Sequence, residues 1–139
     1  MKISTRGRYA LRLMIDLAEQ YEKGYITLND ISLRLNISKK YLEQIIPPLT
    51  RKGLLLTTRG ALGGYQLSRT PAEITVEEIL VSAEGNLFPV NCMKDNPNLC
   101  EFMSDCETLP IWEGLYNVIS NYLKGITLQD ILNQTTSSN

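Results

Sequence analysis

Three cysteines, Cys92, Cys100 and Cys106, are the side chains of this 139-residue chain best suited to hold a metal, and the chain contains no histidine. Seven residues separate the first pair and five the second, which is not the paired C-x-x-C of a zinc knuckle. Three thiolates on one loop suit an iron–sulfur cluster, where each iron needs thiolate donors and the last ligand can be of another kind. Zinc held by three cysteines and a carboxylate uses the same residues. So do three cysteines with no shared ligand, one or two of them simply packed. The missing histidine removes every mechanism with a histidine base and every His-ligated metal. A thiol-redox enzyme would need one cysteine activated as a nucleophile. Without His or C-x-x-C, only an arginine or a helix dipole is left to activate it.

A second set of residues could read a polyanion. Lys40, Glu43, Gln44, Pro47 and Arg51 recur at i, i+3, i+4, i+7 and i+11, with Lys39 and Tyr41 flanking the amino-terminal end of the stripe. Long polar side chains on one face of a short helix suit a helix-turn-helix, whose second helix puts its first residues on base edges in the major groove. An ordinary solvated helix face has the same pattern. Charge bears on the choice. Residues 1–70 hold 12 Lys/Arg against 5 Asp/Glu, a balance of +7; residues 71–139 hold 2 against 10, a balance of −8. The formal net charge of −1 therefore conceals a basic half suited to nucleic acid and an acidic half with another task, although two solvated faces of one domain would look alike in charge.

The elements that must position these residues follow from periodicity. Residues 5–21 read as a helix with Tyr9, Leu13, Leu17 and Tyr21 on one line, ended by Gly24. Thr27 and Asp30 form a capping box with a short carboxylate, opening a helix that turns Leu28, Ile31 and Leu35 inward. Asn36-Ile37 makes a tight turn. Ser38 then caps a third helix reaching Lys52, with Leu42, Ile45, Ile46 and Leu49 inward. Pro47 and Pro48 remove the donors for the carbonyls of Glu43 and Gln44, which predicts a kink or early loosening. After Gly53 the period becomes 2: strands over 54–58 and 65–68 flank the glycine-rich turn 59–64. Helix, helix, helix and hairpin in that order make a winged helix-turn-helix, with Arg59 and Gly60 at the wing tip, where the arginine can reach phosphates or a minor groove.

Beyond Pro71, Thr75 and Glu78 form a capping box for a helix through Ala83. Residues 85–108 hold all three cysteines and have no sustained period. A longer helix spans 108–124, with Ile111, Leu115, Val118 and Tyr122 in a stripe that Trp112, Ile119 and Leu123 widen. Its burial is expected against a second copy and against helix 5–21, giving a homodimer suited to a pseudo-palindromic site. Thr127 caps a last helix over 128–132, and 134–139 is expected to fray. With 43% hydrophobic and 21% charged residues the chain reads as one soluble globular unit. No apolar run reaches the roughly 18 residues of a membrane span, which predicts a cytoplasmic protein without membrane contact. The expected division is 1–84 for DNA binding, 85–108 for the cysteines and 109–139 for dimerisation.

The runs Lys2-Ile3-Ser4-Thr5-Arg6-Gly7-Arg8-Tyr9-Ala10, Tyr41-Leu42-Glu43-Gln44-Ile45 and Arg59-Gly60-Ala61-Leu62-Gly63-Gly64-Tyr65-Gln66-Leu67 together resemble the Rrf2 family of bacterial winged-helix regulators, over nearly the whole chain. The resemblance implies a homodimer joined through the long carboxyl-terminal helix. It also implies Ser38, Lys39, Tyr41, Glu43 and Gln44 in the major groove of an operator and Arg59-Gly60 in the minor groove. In cluster-binding members three cysteines lie where Cys92, Cys100 and Cys106 lie here. The resemblance thus implies an iron–sulfur cluster, 2Fe–2S favoured over 4Fe–4S, that reports iron–sulfur supply, oxidative stress or nitric oxide. A CymR-like branch, without a cluster and controlled by a partner protein in cysteine metabolism, is the alternative, against which the three cysteines count. The chain departs from the pattern at the fourth ligand: Leu109 stands where one branch has a histidine, and Arg8 where another has an acidic residue. Glu107, Asp105, Ser104, a carboxylate of a second copy, or a small thiol or water remain as donors.

Overall fold

A computed structural model describes residues 2–60, 63–90 and 107–137. Six α-helices and one two-stranded sheet follow in the order α1 (Thr5–Glu19), α2 (Leu28–Leu35), α3 (Lys39–Arg51), β1 (Leu55–Thr58), β2 (Gly64–Leu67), α4 (Val76–Glu84), α5 (Leu109–Lys124) and α6 (Leu128–Ser137). Single 3-10 turns over Tyr21–Lys23 and Pro71–Glu73 complete the described elements. Among those residues no helix is long and apolar enough to cross a membrane.

Ser4 starts α1 by accepting the Gly7 amide at 3.2 Å, and the i, i+3, i+4, i+7 set Ala10, Leu13, Met14 and Leu17 is buried. Thr27 caps α2 by accepting the Asp30 amide at 3.1 Å. Asn36 closes that helix in the left-handed region at φ 55°, a conformation that asparagine tolerates better than most residues. Ser38 repeats the N-cap for α3, accepting the Tyr41 amide at 3.1 Å. Leu42, Ile45, Ile46 and Leu49 then seat α3 on the core, each contributing about 1.5–3 kcal/mol of apolar burial.

The loosening expected at Pro47 and Pro48 does not occur: α3 is continuous to Arg51 with both prolines inside it. Two amide bonds are lost, but Glu43 and Gln44 face solvent, where water can serve their carbonyls. The buried side chains on either side of the prolines hold the helix in place. The hairpin pairs Leu55 with Leu67, Leu56 with Gln66, Thr57 with Tyr65 and Thr58 with Gly64 in an antiparallel register. A bridge between Ile26 and Tyr65 laces it to the segment before α2, with amide-to-carbonyl bonds of 2.9 and 2.8 Å. Gly64 is required there, because a Cβ would overlap the Ile26 carbonyl.

The carboxyl-terminal part of the chain closes over α1. Helix α1 is covered chiefly by α4 and α6, while α5 lies on α4, and Leu11 of α1 shares one apolar cluster with Tyr116 and Leu123 of α5 around Val76 and Leu80 of α4. Helix α6 runs to Ser137, past the predicted end at Leu132. The buried Leu128 and half-buried Ile131 and Leu132 anchor it on the α1 core, and Gln129 donates to Asn133 at 2.9 Å one turn on.

Candidate nucleic-acid interface

Lys39, Lys40, Glu43 and Gln44 are exposed on α3, with Ser38 exposed at its N-cap and Arg51 at its carboxyl end. The helix therefore has two faces of opposite character: a closed apolar one on the core and an open polar one in solvent. Tyr41 is half-buried, and its ring meets Tyr9 of α1 edge to face, centroids 5.5 Å apart and planes at 86°. Arg12 lies over the Tyr9 ring, 5.4 Å from its centroid, and donates to the Leu35 carbonyl at 3.0 Å. The first turn of α3 is thus docked on α1 by an aromatic pair with a cation above it.

Packing of α1 against α3 leaves a groove of about 480 Å³ lined by Ser4, Thr5, Arg6, Tyr41, Gln44 and Ile45. Sequence reasoning had the α3 residues but not the amino end of α1 beside them. Periodicity assigns faces within one helix and carries no signal for which helix end meets which. At the wing, Arg59 and Gly60 are exposed where β1 ends, Gly60 at φ 101°, a backbone conformation that favours glycine. Ala61 and Leu62 lie outside the described residues.

An ion pair between a buried carboxylate and an exposed arginine joins α2 to α1. Asp16, 5% exposed, accepts from Arg34 Nε and Nη2 at 2.9 Å each, a bidentate fork. The hydrogen bond to Asp16 is the main reason the Arg34 pKa rises above its usual value. The pair went unread in the sequence, because Asp16 fell among the polar residues of an otherwise amphipathic helix and its partner is on another element.

Cys92, Cys100 and Cys106, with Ser104 and Asp105, lie outside the described residues, between Val90 and Glu107. Glu107 is exposed just ahead of α5. Arg8 is exposed and donates to Thr5 Oγ1 at 3.1 Å. Among the described residues no group of three His, Cys, Asp or Glu side chains could hold a metal ion.

A helix-turn-helix of α2 and α3 backed by α1 and followed by an antiparallel hairpin defines a winged helix-turn-helix protein. The family model for Rrf2, "Iron-dependent Transcriptional regulator", matches residues 3–134, and the chain belongs to that family of DNA-binding transcriptional regulators. The HTH-type transcriptional regulator CymR of Bacillus subtilis is 36% identical over 135 residues, 97% of this chain and 92% of that protein. The solved structure of CymR, described as the global cysteine regulator of B. subtilis, superposes with a TM-score of 0.79 at 35% identity, covering 96% of this chain and 98% of that one. T. potens IscR gives 0.75 at 33% identity, covering 100% and 91%. The relatives are transcriptional regulators, not enzymes.

Proposed function

We propose that the protein is a homodimeric regulator that places α3 in the major groove of an operator and the wing tip at the minor groove. In this reading its operator affinity follows the state of an iron–sulfur cluster held by Cys92, Cys100 and Cys106. The observation that carries the DNA-reading part is the open face of α3: Lys39, Lys40, Glu43 and Gln44 are all exposed on a helix whose other face is closed on the core. Ser38, Lys39 and Lys40 offer a hydroxyl and ammoniums to phosphates and base edges at the helix amino end. Glu43 accepts from cytosine, Gln44 bonds adenine in two places, and Tyr41 offers its hydroxyl beside them. Arg51 and Arg59 neutralise backbone charge, and Gly60 lets the wing backbone approach the groove.

The donor set fits the cluster. Three thiols within fifteen residues supply soft ligands, and with no histidine in the chain the fourth position falls to oxygen or to an exogenous thiol, Glu107 being the described carboxylate adjoining the segment. When bound, such a cluster supplies an oxidation-labile iron centre whose stability depends on its ligands. The chain's own part is to tether residues 91–106 between α4 and α5, both of which belong to the body that carries α3. The likeness to CymR supports a second reading, a cluster-free regulator of cysteine metabolism under a partner protein.

One preparation separates the two readings. Protein purified without air is expected to contain iron and acid-labile sulfide and to absorb in the visible, and Cys100→Ser is expected to remove all three. Colourless wild-type protein that still shifts operator DNA assigns the cluster-free reading.

A further inference from the structure

Glu84 ends α4 and reaches across to the start of α1, where its Oε1 accepts from both the Ser4 amide at 3.0 Å and the Ser4 hydroxyl at 2.6 Å. Ser4 in turn accepts the Gly7 amide as the N-cap of α1. A carboxylate at a helix amino terminus is favoured by the exposed amides and by the helix dipole. Gly7 has the room for it: a Cβ at that position would overlap Glu84 Oε1, and the residue is buried. Substitution by any larger residue must push the carboxylate out, so the contact is built into the backbone as well as into two side chains.

Both ends of this contact lead to functional parts. On one side, Ser4 lines the groove that Tyr41 and Gln44 line from α3, and one turn and a half along α1 the Tyr9 ring docks Tyr41. On the other side, Gly85 follows Glu84, Leu87 is buried against Val76 and Leu80 of α4, and Phe88 meets Tyr116 of α5 with centroids 5.1 Å apart. The carboxylate therefore sits where the body of α4 and α5 touches the helix that carries the first turn of α3.

We infer that Glu84 is a positioning residue for DNA reading, acting through Ser4 and α1 on the placement of Tyr41 and Gln44. The inference rests on the proposal that α3 reads bases. Glu84 itself touches no DNA in this scheme. Its loss lets the amino end of α1 move, the Tyr9–Tyr41 seat moves with it, and base contacts are misaligned while the phosphate-binding cations keep their charge and exposure.

The test is a double-mutant cycle on the intact protein, with the ratio of operator to random-DNA affinity as readout. Glu84→Ala and Ser4→Ala are each expected to lower that ratio about ten-fold, the scale of one lost base contact. The double variant should lose no more than either alone. Random-DNA affinity and its salt slope stay as in the wild type, and Glu84→Gln, which keeps the acceptor without the charge, retains the ratio. Thermal unfolding of each variant accompanies the binding data. A ratio unchanged in Glu84→Ala, or losses that multiply in the double variant, overturns the inference. Gln44→Ala distinguishes the two levels: if it lowers the ratio and Glu84→Ala does not, only the positioning role fails, and if Gln44→Ala leaves the ratio intact, the reading of α3 fails with it.

Discussion

Arg59 is exposed immediately after β1, and Gly60 after it is exposed and adopts a positive φ that a side chain would oppose. A single guanidinium there contributes to binding mainly by displacing a counterion from the DNA backbone, so its effect is visible in salt dependence before it is visible in specificity. Arg59→Ala is expected to weaken operator and random DNA alike and to make the log-affinity against log-salt line shallower by about one unit. Fluorescence anisotropy over a salt series measures this, and an unchanged slope removes the wing from the contact. This residue is legible in the sequence because two hairpin strands and a glycine-rich turn are local signals. Asp16 with Arg34, and Ser4 with Glu84, are not: each pair joins two elements, and nothing in the local pattern of either partner names the other. Asp16 in particular looks like a surface residue, although the fork from Arg34 keeps it 5% exposed.

Helix ends are the elements' most readable feature, since their chemistry is confined to four residues. The capping box of α4 is complete: Thr75 accepts the Glu78 amide at 3.2 Å and Glu78 accepts the Thr75 amide at 3.0 Å. Arg69 adds a bond to Glu78 Oε1 at 3.0 Å. Burial opposes the charge on Glu78, but the Thr75 amide and Arg69 outweigh it and bring the carboxyl below its ordinary value of 4.5. A carboxyl depressed in the folded state contributes stability above its unfolded value and loses it as pH falls through the folded one. Glu78→Gln is therefore expected to be less stable than the wild type at pH 7, with the gap closing as pH drops below about 4.5. Urea unfolding at several pH values decides it: a gap independent of pH assigns the loss to packing. Interiors and packing partners of elements are harder to read. The two prolines in α3 argue locally for a break, yet Ile45, Ile46 and Leu49 hold the helix on the core. The polar tail of α6 argues for fraying, yet Leu128 anchors the helix it extends.

At the scale of the molecule α4 is the hub, because its carboxylates reach three other parts. Glu84 holds Ser4, the N-cap of α1, Glu78 holds Arg69, and Glu77 accepts from the buried Ser120 of α5 at 3.2 Å and pairs with Lys124 at 3.5 Å. Through Glu77, Tyr116 and Leu123 helix α5 is fixed with one face down on α4. The stripe read from the sequence as its burying face points the other way: Ile111, Leu115, Val118 and Tyr122 are 61%, 41%, 67% and 68% exposed. The sequence shows that α5 is apolar over too wide an arc for one contact, but two apolar faces on one helix look like one broad stripe, and only the packing separates them. Four large apolar side chains left open at i, i+4, i+7 and i+11 make a contiguous patch of the kind that marks an association surface. A second copy offering the same stripe would bury both, in keeping with a two-fold operator. Val118→Glu puts a carboxylate in the middle of that surface without touching the face on α4. It is expected to shift sedimentation equilibrium to the monomer and, because two linked half-site contacts become two separate ones, to lower operator affinity at least about a hundred-fold, while helical content by circular dichroism stays at the wild-type value. A variant that remains dimeric places the interface elsewhere, and one that is monomeric yet binds the full operator as tightly as before separates dimerisation from DNA reading.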